Sequence, residues 1–188
     1  MSHERRQQLE EQIVNDQPEL RAFVRNFPAE HDMLSGSWDL MSYSFQRRFE
    51  ALWDAARAYR NDLLLHPLLA LWRQSLELAL KAAIAAIAGG IDGRPGHDLE
   101  ALFRQLLDAR EALGYLDEDD LTDRVTEMVA LVQSIDPYAD RFRYPSSREG
   151  QRFEGVAADF DELYQAHSII VTYCEGAAIE VEETRGLN

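Results

Sequence analysis

The chain has 188 residues, 46% of them hydrophobic, and a formal net charge of −15. That length suits one domain and that composition can bury a core, while the acidity disfavours nonspecific binding to long nucleic acid, whose phosphates it repels. The single cysteine, Cys174, excludes an internal disulfide and suits a reducing compartment.

The opening MSHERRQQLEEQ has no apolar segment of the kind that begins a secretory signal, so a cytoplasmic location is expected. A short first helix is expected from about Arg5 to Val14, followed by irregular chain marked by Pro18 and Pro28. Residues 1–40 therefore read as a less regular N-terminal extension, and residues 42–182 as a helical bundle within one domain. From Ser42 to about Asp62, helical spacing puts Phe45, Phe49, Leu52, Trp53, Ala56 and Tyr59 on one face. Pro67 suits the first turn of the next helix, which Gly89-Gly90 ends. Asp98 can cap a helix running to about Leu113, stopped by Gly114. The acidic run 117–120 favours the positive end of a further helix, with Leu121, Val125, Met128, Val129, Val132 and Ile135 on one side. The segment DPYADRFRYPSSREG then breaks the periodicity, and a last helix is expected from about Val156 to Glu182. No convincing strand appears. The fold class expected is all-α, an antiparallel helical bundle of about five helices.

The run PLLALWRQSLELALKAAIAAIA, residues 67–88, is long enough to span a bilayer. It carries Arg73, Glu77 and Lys81 near its middle, each unfavourable there by about 2.5–3.5 kcal/mol, so it reads as a buried helix of a soluble protein with no membrane partner. Four residues advance a helix by about 400°, so the three charges share one stripe. The stripe is either an exposed row of i,i+4 ion pairs or a polar seam facing groups from another segment. Lys81 is the only lysine among 19 basic residues. The other basic concentration is residues 141–152, where Arg141, Arg143, Arg148 and Arg152 face one Glu149. Those arginines suit an anionic ligand or the acidic stretch 117–120. Pro145 holds Tyr144 extended, which makes a short rigid finger. The stripe is expected to face this finger and the helix start at His97 and Asp98. Glu77 would then accept from Arg143, leaving Arg73 and Lys81 to hold an anion.

With these residues in view, the chain resembles the HEPN superfamily of small all-α domains, common in prokaryotic defence and toxin–antitoxin systems. The likeness is to a branch whose central helix reads R-x-x-x-E-L-x-x-K, here Arg73, Glu77 and Lys81. It continues with His97, Asp98 and Leu99 opening the next helix, and closes on a DP…FRYP…G segment, here Asp136, Pro137, Phe142, Arg143, Tyr144, Pro145 and Gly150. It covers about residues 65–175, and the first 40 residues carry none of it. The resemblance implies a homodimer that binds RNA, a nucleotide or a partner protein and needs no metal or other cofactor. In many members it implies a metal-independent ribonuclease, in which an arginine and a histidine separated by four to six intervening positions act on a phosphodiester. Two strings fit that pattern, Arg25 to His31 and Arg60 to His66, both earlier in the chain than the family places its pair. The last helix, apolar over much of its circumference, is a second reason to expect a homodimer.

Two other readings stand beside this one. In the first, the domain is a non-catalytic interaction module whose Arg/Glu/Lys and RYP residues only lock the fold. In the second, His66, His97, Asp98 and Asp159 or Asp161 form an HD-type metal phosphohydrolase site, against which Asp98 is already explained as a helix cap. His167 reads as a packed or surface helical histidine and Cys174 as a small buried apolar residue.

Overall fold

A computed structural model of the protein describes Glu4, Arg5, Gln7, Gln8, Glu11 and residues 28–59, 62–91, 96–115 and 119–186. The five isolated N-terminal positions are helical; the rest of the expected first helix, with Arg25 and Arg60, lies outside the described residues. The chain divides into two compact units, residues 1–36 and 37–188. In the first, a single turn of 3-10 helix, Ala29–His31, is closed by backbone bonds from His31 and Asp32.

The second unit is an all-α bundle of five helices, with no strand among the described residues: α1 (Trp38–Tyr59), α2 (Leu65–Ala88), α3 (Leu99–Glu111), α4 (Asp120–Ile135) and α5 (Phe160–Gly186). None of them is long and apolar enough to cross a membrane. Helix α2 is the centre. Fourteen of its 24 residues are buried, so it is enclosed on more than one face, as expected of a helix apolar nearly all round. It packs against α1, α3 and α5. Phe49, Leu76, Leu80, Ile84, Leu102, Leu106, Val125 and Ile170 form the core between them.

Local chemistry sets most helix ends. Gly89 takes the left-handed conformation (φ 75°) and stops α2. The Asp98 carboxylate accepts from Ala101 N at 3.0 Å and starts α3, and that of Asp119 accepts from Thr122 N at 2.7 Å and starts α4. The last helix starts later than its apolar pattern suggests. Asp159 accepts from Asp161 N and Glu162 N through one carboxylate oxygen, and so sets the first turn at Phe160 rather than Val156. On α4, Leu121 is exposed and Thr122 is buried instead, its hydroxyl 3.0 Å from the Tyr173 hydroxyl.

Helix direction follows from side-chain links. Gln46 and Trp53 of α1 meet Glu175 and the Phe160 carbonyl of α5, so these two run antiparallel. Ser75 meets His167, and Arg185 bonds the carbonyls of Ala86 and Ile87, so α2 and α5 run in the same sense. The start of α3 lies against the middle of α2, since His97 Nδ1 is 2.9 Å from Glu77. The apolar residues of α5 are largely covered within this unit: Leu163, Ile170 and Val171 are buried, and Phe160, Tyr164, Ile169 and Tyr173 are packed against the core. They therefore give no reason to expect a second copy.

His167 is buried, 2.9 Å from the Ser75 hydroxyl and against the Phe49 ring. Burial lowers its pKa from 6.5 to about 4. The unfolded chain therefore binds a proton below pH 6.5 that the folded chain refuses until about pH 4. His167 thus contributes stability above pH 6.5 that drains away as the pH falls toward 4, by about 3 kcal/mol. Chemical denaturation from pH 7 to pH 4 should show the parent losing that much relative to His167→Gln. Parallel pH profiles for the two would contradict it.

Candidate functional site

The charged stripe of α2 points inward. Arg73 and Glu77 have side chains 2% exposed, and Lys81 17%. The Glu77 carboxylate is held on both oxygens: Oε1 accepts from Lys81 Nζ at 2.7 Å, and Oε2 lies 2.9 Å from His97 Nδ1 and 3.7 Å from Arg73 Nη1. Arg73 Nη2 donates to the His97 carbonyl and, at 3.1 Å, to Gln133 Oε1. Burial pulls the Arg73 guanidinium below its ordinary pKa, while Glu77, Asp136 and Asp98 act in the opposite direction. Its Nε and Nη1 have no hydrogen-bond partner among the described residues.

The structure thus brings Arg73, Glu77, Lys81 and His97 together, and corrects the expected pairing of Glu77 with Arg143. The place is taken by the His97 ring. Arg143 instead donates from Nε to the Ala139 carbonyl and lies with its guanidinium carbon 5.9 Å from the Tyr144 ring centroid. Lys81 is engaged by Glu77, and Arg73 by His97 and Gln133, so neither faces outward as an anion holder. The start of α3 is occupied too: Leu99 N donates to Gln133 Oε1 at 2.9 Å, and Ala101 N to Asp98. Gln133, which the sequence reading missed, joins three elements at this point, since its Nε2 also donates to the Pro137 carbonyl. A lone glutamine on an amphipathic helix gives no local signal of such a role.

The loop after α4 is built around Asp136. Its buried carboxylate accepts from Asp140 N at 2.9 Å and Arg141 N at 3.1 Å. Arg141 donates to the carbonyls of Ile135 and Glu154. Ala139 takes a positive φ of 55°, a conformation sparsely used outside glycine. Beyond it, Phe142 is buried, while Arg143 and Tyr144 are exposed. A two-residue bridge, Ser146 with Arg152, closes the tip, helped by a 2.8 Å bond from Ser147 N to the Gln151 carbonyl. Between this loop and His97 opens a cleft of ≈ 590 Å³, lined by His97, Asp140, Arg143, Tyr144, Pro145 and Arg148 together with Ser146 and Ser147. Its positive groups are Arg143 and Arg148, both on the exposed side of the loop.

His66 stands apart from this cleft. It is exposed in the first turn of α2, its ring edge against Phe142 at 6.5 Å between centroids, and it lines a separate groove with Arg57 and residues 155–161. Of the residues weighed for an HD-type site, Asp98 and Asp159 cap helices, and His97 is bound to Glu77. No group of three His, Cys, Asp or Glu side chains placed to hold a metal occurs among the described residues. Cys174 is buried, and burial raises its thiol pKa to about 12, so it is unreactive.

The chain matches no protein-family model, no curated protein and no solved structure.

Removing Glu77 would leave a buried guanidinium without its carboxylate. Glu77→Ala should destabilise the fold by about 3–5 kcal/mol, whereas Arg143→Ala, at an exposed position, should stay within about 0.5 kcal/mol of the parent. Urea unfolding of both variants checks the pair, and equal midpoints would show that the buried cluster does not hold the fold.

Proposed function

We propose that this chain is a HEPN-like domain that recognises RNA or a nucleotide at the cleft between His97 and the 143–148 loop. We place it, on the resemblance, in prokaryotic defence or toxin–antitoxin biology, as a cytoplasmic homodimer. The observation that carries the recognition reading is the grouping of Arg143, Arg148, the exposed Tyr144 ring and the half-exposed His97 around one cleft of an otherwise acidic protein. Guanidinium groups match phosphate oxygens in pairs. An exposed tyrosine ring can stack a base, worth about 1–3 kcal/mol where it does. The acidic remainder disfavours indiscriminate binding and leaves this loop as the attractive region.

A second reading is supported by Glu77. Its carboxylate is buried and held by Lys81, His97 and Arg73, as a residue that only locks the fold would be. On that reading the domain is an interaction module without catalysis, and its partner is a protein.

The two differ in salt dependence and in ligand. Fluorescence anisotropy with a single-stranded RNA of mixed sequence should show binding that weakens with salt. Arg143→Ala and Arg148→Ala should each reduce the slope of log K against log salt by about 0.7. If the parent binds neither this RNA nor a nucleoside triphosphate, or if neither arginine matters, the recognition reading fails and the interaction module stands.

A further inference from the structure

Asp140 is buried, only 9% exposed, yet nothing in the fold uses its side chain. Its amide donates to Asp136 at 2.9 Å, and its carbonyl accepts from Arg143 N and Tyr144 N, both at 3.0 Å. Its carboxylate makes no hydrogen bond and no ion pair among the described residues. The carboxylate that closes this loop is that of Asp136. Neither Asp140 oxygen is sealed inside the protein. The residue lines the ≈ 590 Å³ cleft with His97, Arg143, Tyr144 and Arg148. It also lines a second cleft of ≈ 530 Å³ with Tyr138 and Arg141. A carboxylate withdrawn this far from water is unfavourable unless other donors replace the lost hydration. The fold supplies none, which leaves the position open to donors brought by a ligand.

We propose that Asp140 is the specificity-determining residue of the cleft beside His97, and that the base it selects is guanine. The inference rests on the recognition reading above. An ionised carboxylate only accepts, and its two oxygens lie side by side, so the matching group carries two adjacent donors. A guanidinium or an ammonium supplies donors, but its charge would sit among Arg143 and Arg148. A neutral pair of donors avoids that repulsion. Among the RNA bases guanine alone has one, N1–H beside the N2 amino group. Adenine and cytosine set an amino donor beside a ring-nitrogen acceptor, which would face a carboxylate oxygen. Uracil has one N–H between two carbonyls. In single-stranded RNA this edge of the base is open to a protein side chain. Tyr144, 58% exposed, offers its ring for stacking, and the exposed Arg143 and Arg148 take the phosphate. The arginines attract any nucleotide, whereas the carboxylate repels the bases that turn an acceptor toward it, and so discriminates among them.

The experiment uses the full chain and short fluorescein-labelled oligouridines with a central guanosine, inosine or adenosine, read for binding by anisotropy. The guanosine oligomer should bind about 10–100-fold more tightly than the adenosine oligomer. Inosine keeps N1–H and lacks the amino group, so its oligomer should fall between them. Asp140→Asn keeps the shape of the side chain and replaces one acceptor with a donor. It should bring the guanosine oligomer down to the level of the adenosine one, while the adenosine oligomer binds at least as tightly as to the parent. Equal binding of all the oligomers by the parent overturns the guanine assignment and leaves recognition standing. So does a guanosine preference that survives Asp140→Asn. The inosine comparison needs no variant, so it decides the matter even where Asp140→Asn does not fold: inosine bound as tightly as guanosine overturns the paired-donor match. Failure to bind any of the oligomers overturns both the assignment and the recognition reading beneath it.

Discussion

A carboxylate inside the central helix sets much of this structure. Placing Glu77 in the core of α2 removes it from water, which is unfavourable by several kcal/mol unless cations and donors replace the lost hydration. One turn of helix on either side supplies Arg73 and Lys81. Its second oxygen takes a group from elsewhere in the chain, the His97 ring. The start of α3 is thereby fixed against the middle of α2. Gln133 extends the same network to α4, since it accepts from both Arg73 and the first amide of α3.

Burial divides the polar residues into two groups with different work. Arg73, Glu77 and Asp136 are buried and hold elements in place, their bonds turned toward the protein. Arg143, Tyr144 and Arg148 face outward on a loop whose backbone is already bonded to itself. A loop of that kind presents its side chains without a large ordering penalty on binding, which is the usual advantage of a preorganised surface. His97 belongs to both groups. Its carbonyl and Nδ1 are tied to Arg73 and Glu77, while half of its side chain remains accessible. His97 thus connects the buried network to the exposed cleft.

Helix count, the glycine stop of α2, the caps at Asp98 and Asp119 and the irregular segment after Asp136 were legible in the sequence. Each depends on a 3.6-residue period or on bonds between residues fewer than five apart. The stripe of Arg73, Glu77 and Lys81 was legible for the same reason. The partner of Glu77 was not. Arg143 and His97 are both polar residues able to donate to it, and the choice rests on the start of α3 lying beside Glu77 and on Arg143 turning back to the Ala139 carbonyl. Gln133 and Thr122 were missed because a polar side chain on an amphipathic helix looks alike whether it faces water or a partner. The start of α5 was misplaced because the bonds of Asp159 to its own following amides outweigh the apolar period upstream of it. Sequence alone determined which segments are helical and which residues carry charge, since both are local properties. Only the tertiary structure decided which charges are buried, which partner each takes and which side chains share a cleft, because those depend on contacts between segments tens of residues apart.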